Sequence, residues 1–325
     1  MRVFGPVVVL LSLLFATGCG RPAEQAPQPR EQPSQTLAQP SQTLAQARKG
    51  FTTHLVKHVR AGSAVETPPP GSVRLVHYPS PVGSLPAYLA PAPDAGRHPA
   101  IIWITGGDYN SIGDVWSRPP AGNDQTAAQY REAGIVMLYP SLRGGNDNPG
   151  YQEGFLGETE DILAAADFLA RQPGVDPQRI YLGGHSTGGT MALIESEYTG
   201  RFRAVFSFGP VGAPDQYDPP SLQQPGDPAD PRELQLRSPV RWLGSITSPT
   251  FVFEGTGAPS NKLSLLELKS RNTSPLAHFH PVEGYTHFSV LGPVNRLIAQ
   301  KIVADSGPAC DITFTAQELA GLGKA

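Results

Sequence analysis

The sequence predicts an α/β domain with a mainly parallel sheet, covered by helices on both faces. Three observations carry this. From about residue 50 onward, strand-like and helix-like runs alternate. Two of the strand-like runs, Ala100-Ile-Ile-Trp-Ile104 and Ile180-Tyr-Leu182, are mostly apolar rather than alternating. A strand buried on both faces has that pattern. Finally, Gly184-His-Ser-Thr-Gly188 lies between a strand-like and a helix-like run.

The strand-like runs are residues 73–78, 84–89, 100–104, 135–139, 180–183, 204–208, 250–254 and 278–282. No helix-like run separates the first two, so the sheet is expected to begin with antiparallel strands. The helix-like runs are residues 125–133, 160–171, 190–198, 262–270 and 295–304. Thr315-Ala-Gln-Glu318 has the spacing of a capping box and predicts a short final helix.

The N-terminal residues read differently. Arg2 is followed by a short apolar run from Val7 to Phe15 and then by small residues. That is an export signal, too short for a comfortable membrane span. Ala16-Thr-Gly-Cys19 resembles a bacterial lipobox, with Ala16 where Leu is more usual. The resemblance implies cleavage before Cys19 and lipidation of its thiol, an anchor that does not cross the bilayer. Cys310 then has no partner for an intramolecular disulfide and reads as a structural thiol. Residues 20–47 are rich in Pro, Gln, Ala and Ser and contain the seven-residue duplication Pro33–Gln39 and Pro40–Gln46. Such a segment buries too little apolar surface to offset its ordering entropy, and it reads as a flexible tether. The expected organisation is a signal at 1–18, a lipidated tether at 19–47 and one domain at 48–325.

Composition excludes several functions. The net charge of the 325-residue chain is −3, and it has no Lys/Arg block. Nucleic-acid binding therefore lacks its electrostatic basis. Neither a P-loop nor a dinucleotide fingerprint is present, so no cofactor is expected. His54 and His58 are four apart without a third ligand nearby, so no metal is expected either.

The chemistry centres on G-x-S-x-G. Ser186 occupies the nucleophile position of a tight strand-to-helix turn, where flanking side chains would clash and glycine is required. A helix beginning just beyond Ser186 aims its free amides at developing negative charge. Thr187 N–H, immediately after the nucleophile, is one expected oxyanion donor.

The stretch "YPSLRGGNDNPGYQEGFLGETEDILAAADFLARQPGVDPQRIYLGGHSTGGTMAL" resembles the catalytic domain of the prolyl oligopeptidase family of α/β-hydrolases. The likeness rests on an Arg-Gly loop, on Gly157 and Asp161 at a helix start, and on the Val-Asp-Pro-x-Arg-Ile lead-in to the Ser turn. It extends over roughly residues 75–304 and implies an α/β-hydrolase fold without the propeller of larger members. "EGYTHFS" resembles the loop holding the catalytic His and implies His287 as the general base. An imidazole titrates near neutrality and can take and return the Ser proton. Thr105-Gly-Gly-Asp-Tyr109 stands where the family has a His-Gly-Gly turn, which implies the amide of Gly107 or Asp108 as the second oxyanion donor.

The third member of the triad departs from the pattern. Aligned on Gly-Thr after the seventh strand, the family's Asp position holds Ala258. Glu254, at the end of that strand, and Asp215, after the strand before it, are the candidate acids. His185, the residue just before the nucleophile, reads as shaping the pocket, and His278 and His280 as core or surface residues of a strand. Residues 211–243, rich in Pro and Asp, are a candidate cap. The expected activity is hydrolysis of an ester or a peptide bond in a small substrate through an acyl-enzyme. The expected location is the bacterial cell envelope, with membrane contact only through the Cys19 anchor. Ala258 motivates the alternative of a binding protein on a hydrolase fold that has lost catalysis.

Overall fold

Each strand-like run of the sequence lies in a strand of one sheet. The structure is a computed structural model that describes residues 41–120, 122–217 and 225–323. In chain order the elements are α1 (Leu44–Arg48), β1 (Arg74–Ser80), β2 (Gly83–Leu89), β3 (His98–Ile104), α2 (Ala128–Glu132), β4 (Val136–Pro140), α3 (Glu158–Ala170) and β5 (Val175–His185). There follow α4 (Thr187–Tyr198), β6 (Val205–Phe208), α5 (Pro231–Gln235), β7 (Thr250–Gly257), α6 (Lys262–Arg271), β8 (Ala277–Thr286), α7 (Leu291–Ala304) and α8 (Ala316–Ala320). The strand order is β1-β2-β4-β3-β5-β6-β7-β8. β1 and β2 pair antiparallel, as do β2 and β4, and the remaining neighbours are parallel. This is the α/β-hydrolase architecture expected above.

The continuous apolar strands supply both faces. Ala100, Ile102 and Ile104 of β3 join a core with Ala165 and Leu169 of α3 and Met191 of α4. Ile101 and Trp103 of the same strand join a core on the other face with Tyr130 of α2 and Val294 and Ile298 of α7. Successive strand residues point to opposite faces, so an all-apolar strand needs helices on both sides. A third cluster packs Leu265 and Leu268 of α6 under Val252 and Phe279 of β7 and β8. The capping box at α8 forms as predicted, with the Thr315 side chain accepting from Glu318 N–H.

The tether boundary needs correcting. Residues 1–40, which include the signal, Cys19 and the first copy of the duplication, lie outside the described residues. The second copy contributes α1, capped by Thr43 and Gln46, with Leu44 fully buried. Arg48, the last residue of α1, donates to the carbonyls of Phe155 (2.7 Å) and Leu236 (2.7 Å). Burial lowers its pKa to about 10. The docking of one leucine and one satisfied guanidinium orders the end of a segment whose composition reads as tether. Among the described residues no helix is long and apolar enough to cross a membrane.

Candidate active site

Ser186 stands at the junction of β5 and α4, with φ 55° and ψ −116°. Only a well-braced turn holds a non-glycine residue there. The bracing is visible: Ser186 N–H donates to Phe208 O (2.7 Å), and Thr190 N–H donates to Ser186 O (2.8 Å). A side chain at Gly184 would meet the Gly188 carbonyl, and one at Gly188 would meet the carbonyls of Ile104 and Thr105. α4 begins at Thr187, three residues before the start read from sequence, so its free N-terminal amides adjoin Ser186.

His287 follows β8 and is buried, as is Glu254 of β7. His287 Nδ1 lies 3.0 Å from Glu254 Oε2 and 3.3 Å from Oε1. Glu254 Oε1 also accepts the Asn261 N–H (3.0 Å), and Asn261 Nδ2 donates to Gly209 O (2.8 Å). The carboxylate is therefore held from two sides. Gly209, at φ 57°, leaves the space that this pair occupies, since a Cβ there would meet both Glu254 Oε2 and the His287 ring. Asp215, the alternative acid, does not join them. It lies on a turn at Pro214–Gln216, is exposed, and lines a separate cavity with Asp227 and Glu233. Ala258, which takes the family's Asp position by alignment, is exposed in the loop after β7.

Ser186 and His287 line one cavity of about 690 Å³. Thr187, Gly107 and Asp108 line it as well. Thr187 Oγ1 donates to Gly107 O (2.9 Å) and ties the loop after β3 to the start of α4. Gly107 takes φ 80° in that loop. Among the described residues no hydrogen bond uses the N–H of Gly107 or Asp108. Of the expected cap, Val211, Gln216 and Tyr217 reach the cavity wall, and residues 218–224 lie outside the described residues.

His185 lines this cavity, as read from the sequence, and Tyr217 lines it without any sequence signal. His185 is fully buried, its ring 4.5 Å from that of His287. Its Nε2 donates to the His287 carbonyl (3.0 Å), and its Nδ1 accepts from Gln125 Nε2 (2.8 Å). Desolvation and the neighbouring His287 lower its pKa to about 3, so the ring stays neutral. Tyr217 Oη lies 2.7 Å from Thr190 Oγ1 and interacts with the Ser186 side chain. Burial raises its pKa, so it remains a phenol. No local motif marks Tyr217, because its position depends on where the chain returns after β6.

The other candidates are separate from this site. His54 faces Asp227 (3.3 Å) while His58 packs on Tyr151, so the two do not converge. Among the described residues no group of His, Cys, Asp and Glu is arranged to hold a metal. His278 and His280 stack on Phe251 and Phe253. Cys310 is half-buried, and burial raises its thiol pKa to about 11, which makes it a poor nucleophile.

Residues 123–256 match the prolyl oligopeptidase family. A peptidase of Bacillus subtilis described as uncharacterised is 28% identical over 178 residues, 51% of this chain and 66% of its own length. The S-formylglutathione hydrolase of Mus musculus is 28% identical over 153 residues, 39% of this chain and 51% of its own. This chain thus spans between half and two thirds of these relatives. Among solved structures, a Mycobacterium tuberculosis puromycin-hydrolyzing peptidase superposes with TM-score 0.56 at 21% identity, over 72% of this chain and 39% of that one. The Pyrococcus horikoshii acylaminoacyl peptidase superposes with TM-score 0.56 at 15% identity, over 76% of this chain and 43% of that one. At these identities the superpositions speak for the fold. The sheet order and the strained serine turn are those of an α/β-hydrolase fold, and residues 123–256 within it are similar to the prolyl oligopeptidase family.

Proposed function

We propose that this protein is a serine hydrolase that cleaves an ester or peptide bond in a small substrate through an acyl-enzyme. The observation that carries the reading is the buried Glu254 carboxylate on His287 Nδ1, in the same cavity as Ser186. In this reading Ser186 Oγ attacks the substrate carbonyl while His287 Nε2 takes its proton. Glu254 keeps the other imidazole proton on Nδ1 and stabilises the imidazolium that forms. The developing oxyanion accepts from Thr187 N–H and from the amide of Gly107 or Asp108. His287 then protonates the leaving group, and a water activated by the same imidazole releases the acyl group.

The matched family and the named activities of the similar proteins support hydrolysis. The inactive binding-protein alternative rested on Ala258, and Glu254 removes that motive. Export and anchoring through Cys19 remain part of the proposal, supported by the N-terminal sequence alone. Hydrolysis of short-chain 4-nitrophenyl esters and aminoacyl 4-nitroanilides by the purified protein tests the activity. Turnover abolished by Ser186→Ala supports the reading, and turnover that survives the substitution refutes it.

A further inference from the structure

The cavity wall includes residues from well before the sheet. Val59, Arg60 and Ala61 line it, although they precede β1. This arm is fixed by backbone hydrogen bonds rather than by a regular element. Val59 O accepts Gln152 N–H (3.0 Å), Ala61 N–H donates to Gly144 O (2.9 Å), and Gly62 N–H donates to Asn146 O (2.6 Å). Arg60 is fixed further, with Nε–H donating to Gly150 O (2.7 Å) and the guanidinium 4.4 Å from the centre of the Tyr151 ring.

What Arg60 lacks is an acid. Among the described residues no ion pair includes it, and no hydrogen bond uses its terminal nitrogens. The other formal charge on the wall, Asp108, differs. Its oxygens accept from Ser111 Oγ (2.6 Å), Gln152 Nε2 (3.2 Å) and Asn110 N–H (3.3 Å). The cavity therefore offers a carboxylate already held by neutral donors and a guanidinium whose outer N–H groups are free. A guanidinium held by its Nε and its face is preorganised to take a carboxylate with its outer N–H groups.

We propose that Arg60 determines specificity by binding a carboxylate on the substrate, away from the bond being cleaved. The proposal rests on the hydrolase reading above and adds a substrate class to it: esters or amides that carry an anionic group. The carboxylate belongs either to the acyl part or to the leaving group, and two substrate pairs separate these. 4-Nitrophenyl hemiglutarate against 4-nitrophenyl butyrate tests the acyl side. 4-Acetoxybenzoate against its methyl ester tests the leaving-group side.

Arg60→Gln is expected to raise KM for the charged member of one pair about tenfold, as loss of an exposed charge-assisted contact does, with kcat little changed. Neutral substrates keep their KM, Arg60→Lys retains part of the preference, and added salt weakens it in the wild type. Equal effects on charged and neutral members, or no effect on either, overturns the proposal. A measurement without turnover keeps it separate from the hydrolase reading. Glutarate titrated calorimetrically into the Ser186→Ala protein should bind, and binding should be lost when Arg60→Gln is added. Absence of glutarate binding together with no charged-substrate preference overturns the assignment. Failure of the wild type on every ester, with glutarate still bound through Arg60, counts against hydrolysis alone.

Discussion

Replacing Glu254 with Gln exchanges one carboxylate oxygen for NH2 and should nearly abolish turnover. Glu254 Oε1 accepts the Asn261 N–H at 3.0 Å, and Oε2 faces His287 Nδ1 at 3.0 Å. The Asn261 amide is a fixed donor, so a Gln carbonyl must stay on it. The Gln NH2 then points at Nδ1 as a donor. Nδ1 must accept, the imidazole proton moves to Nε2, and the nitrogen proposed to take the Ser186 proton can no longer do so. The negative charge that stabilises the imidazolium is lost as well. The equivalent change in a Ser-His-Asp protease costs about 10⁴ in kcat. The expectation here is about 10³–10⁴, or roughly 4–5 kcal/mol of barrier. Glu254→Asp should also be costly, because shortening by one C–C bond of about 1.5 Å opens the contact beyond hydrogen-bond range. The assay is steady-state turnover of a 4-nitrophenyl ester, with the thermal midpoint read in parallel to show that each variant folds. A Gln variant that folds and keeps kcat within about tenfold of wild type would refute the orienting role of Glu254.

Three further outcomes follow from the same geometry. Gly209→Ala places a methyl against Glu254 and His287 at a positive φ, so it should lose activity and about 1–3 kcal/mol of stability; urea unfolding checks the second part, and an unchanged midpoint contradicts it. His185→Gln removes the donor to the His287 carbonyl, so kcat should fall about tenfold. The acid limb of its pH–rate profile should stay where the wild type has it, because His185 is neutral until pH falls to about 3; a displaced limb would mean that His185 itself titrates in the working range. Glu195 and Glu197 of α4 are buried, and their carboxyl oxygens have no hydrogen-bond partner among the described residues. Burial raises both pKa values well above the ordinary 4.5. Above that value the unfolded chain releases protons that the folded chain keeps. Stability should therefore fall with rising pH, by up to about 1.4 kcal/mol per pH unit for each carboxyl held neutral. Thermal midpoints at several pH values should decline less steeply in the Glu195→Gln, Glu197→Gln double variant, and identical slopes would contradict neutral burial.

The sheet was legible because its strands are buried on both faces, which leaves apolar runs such as Ala100–Ile104 in the sequence. The serine turn was legible because steric demand fixes its glycines locally. The acid was harder. Gly-Thr alignment points at Ala258, but the relevant distance is across the sheet. Only the pairing of β7 with β8 brings Glu254 beneath the loop that carries His287. Glu254 ends its strand-like run and Asp215 lies in the loop after the strand before it, yet both keep the order Ser, acid, His, and only the fold separates them. Tyr217 and Arg60 reach the cavity by long-range chain return, which leaves no local pattern. α1 was missed because its residues repeat a tether-like heptad, and its order comes from Leu44 and Arg48 docking on distant segments.

The central claim is that the Glu254–His287 pair activates Ser186. Reaction of the purified protein with a fluorophosphonate, followed by peptide mass spectrometry, tests it most directly. The account predicts one adduct on Ser186 in the wild type, none in Ser186→Ala, and labelling that slows sharply in Glu254→Gln. A folded wild-type protein left unlabelled, or labelled at another residue, would contradict it.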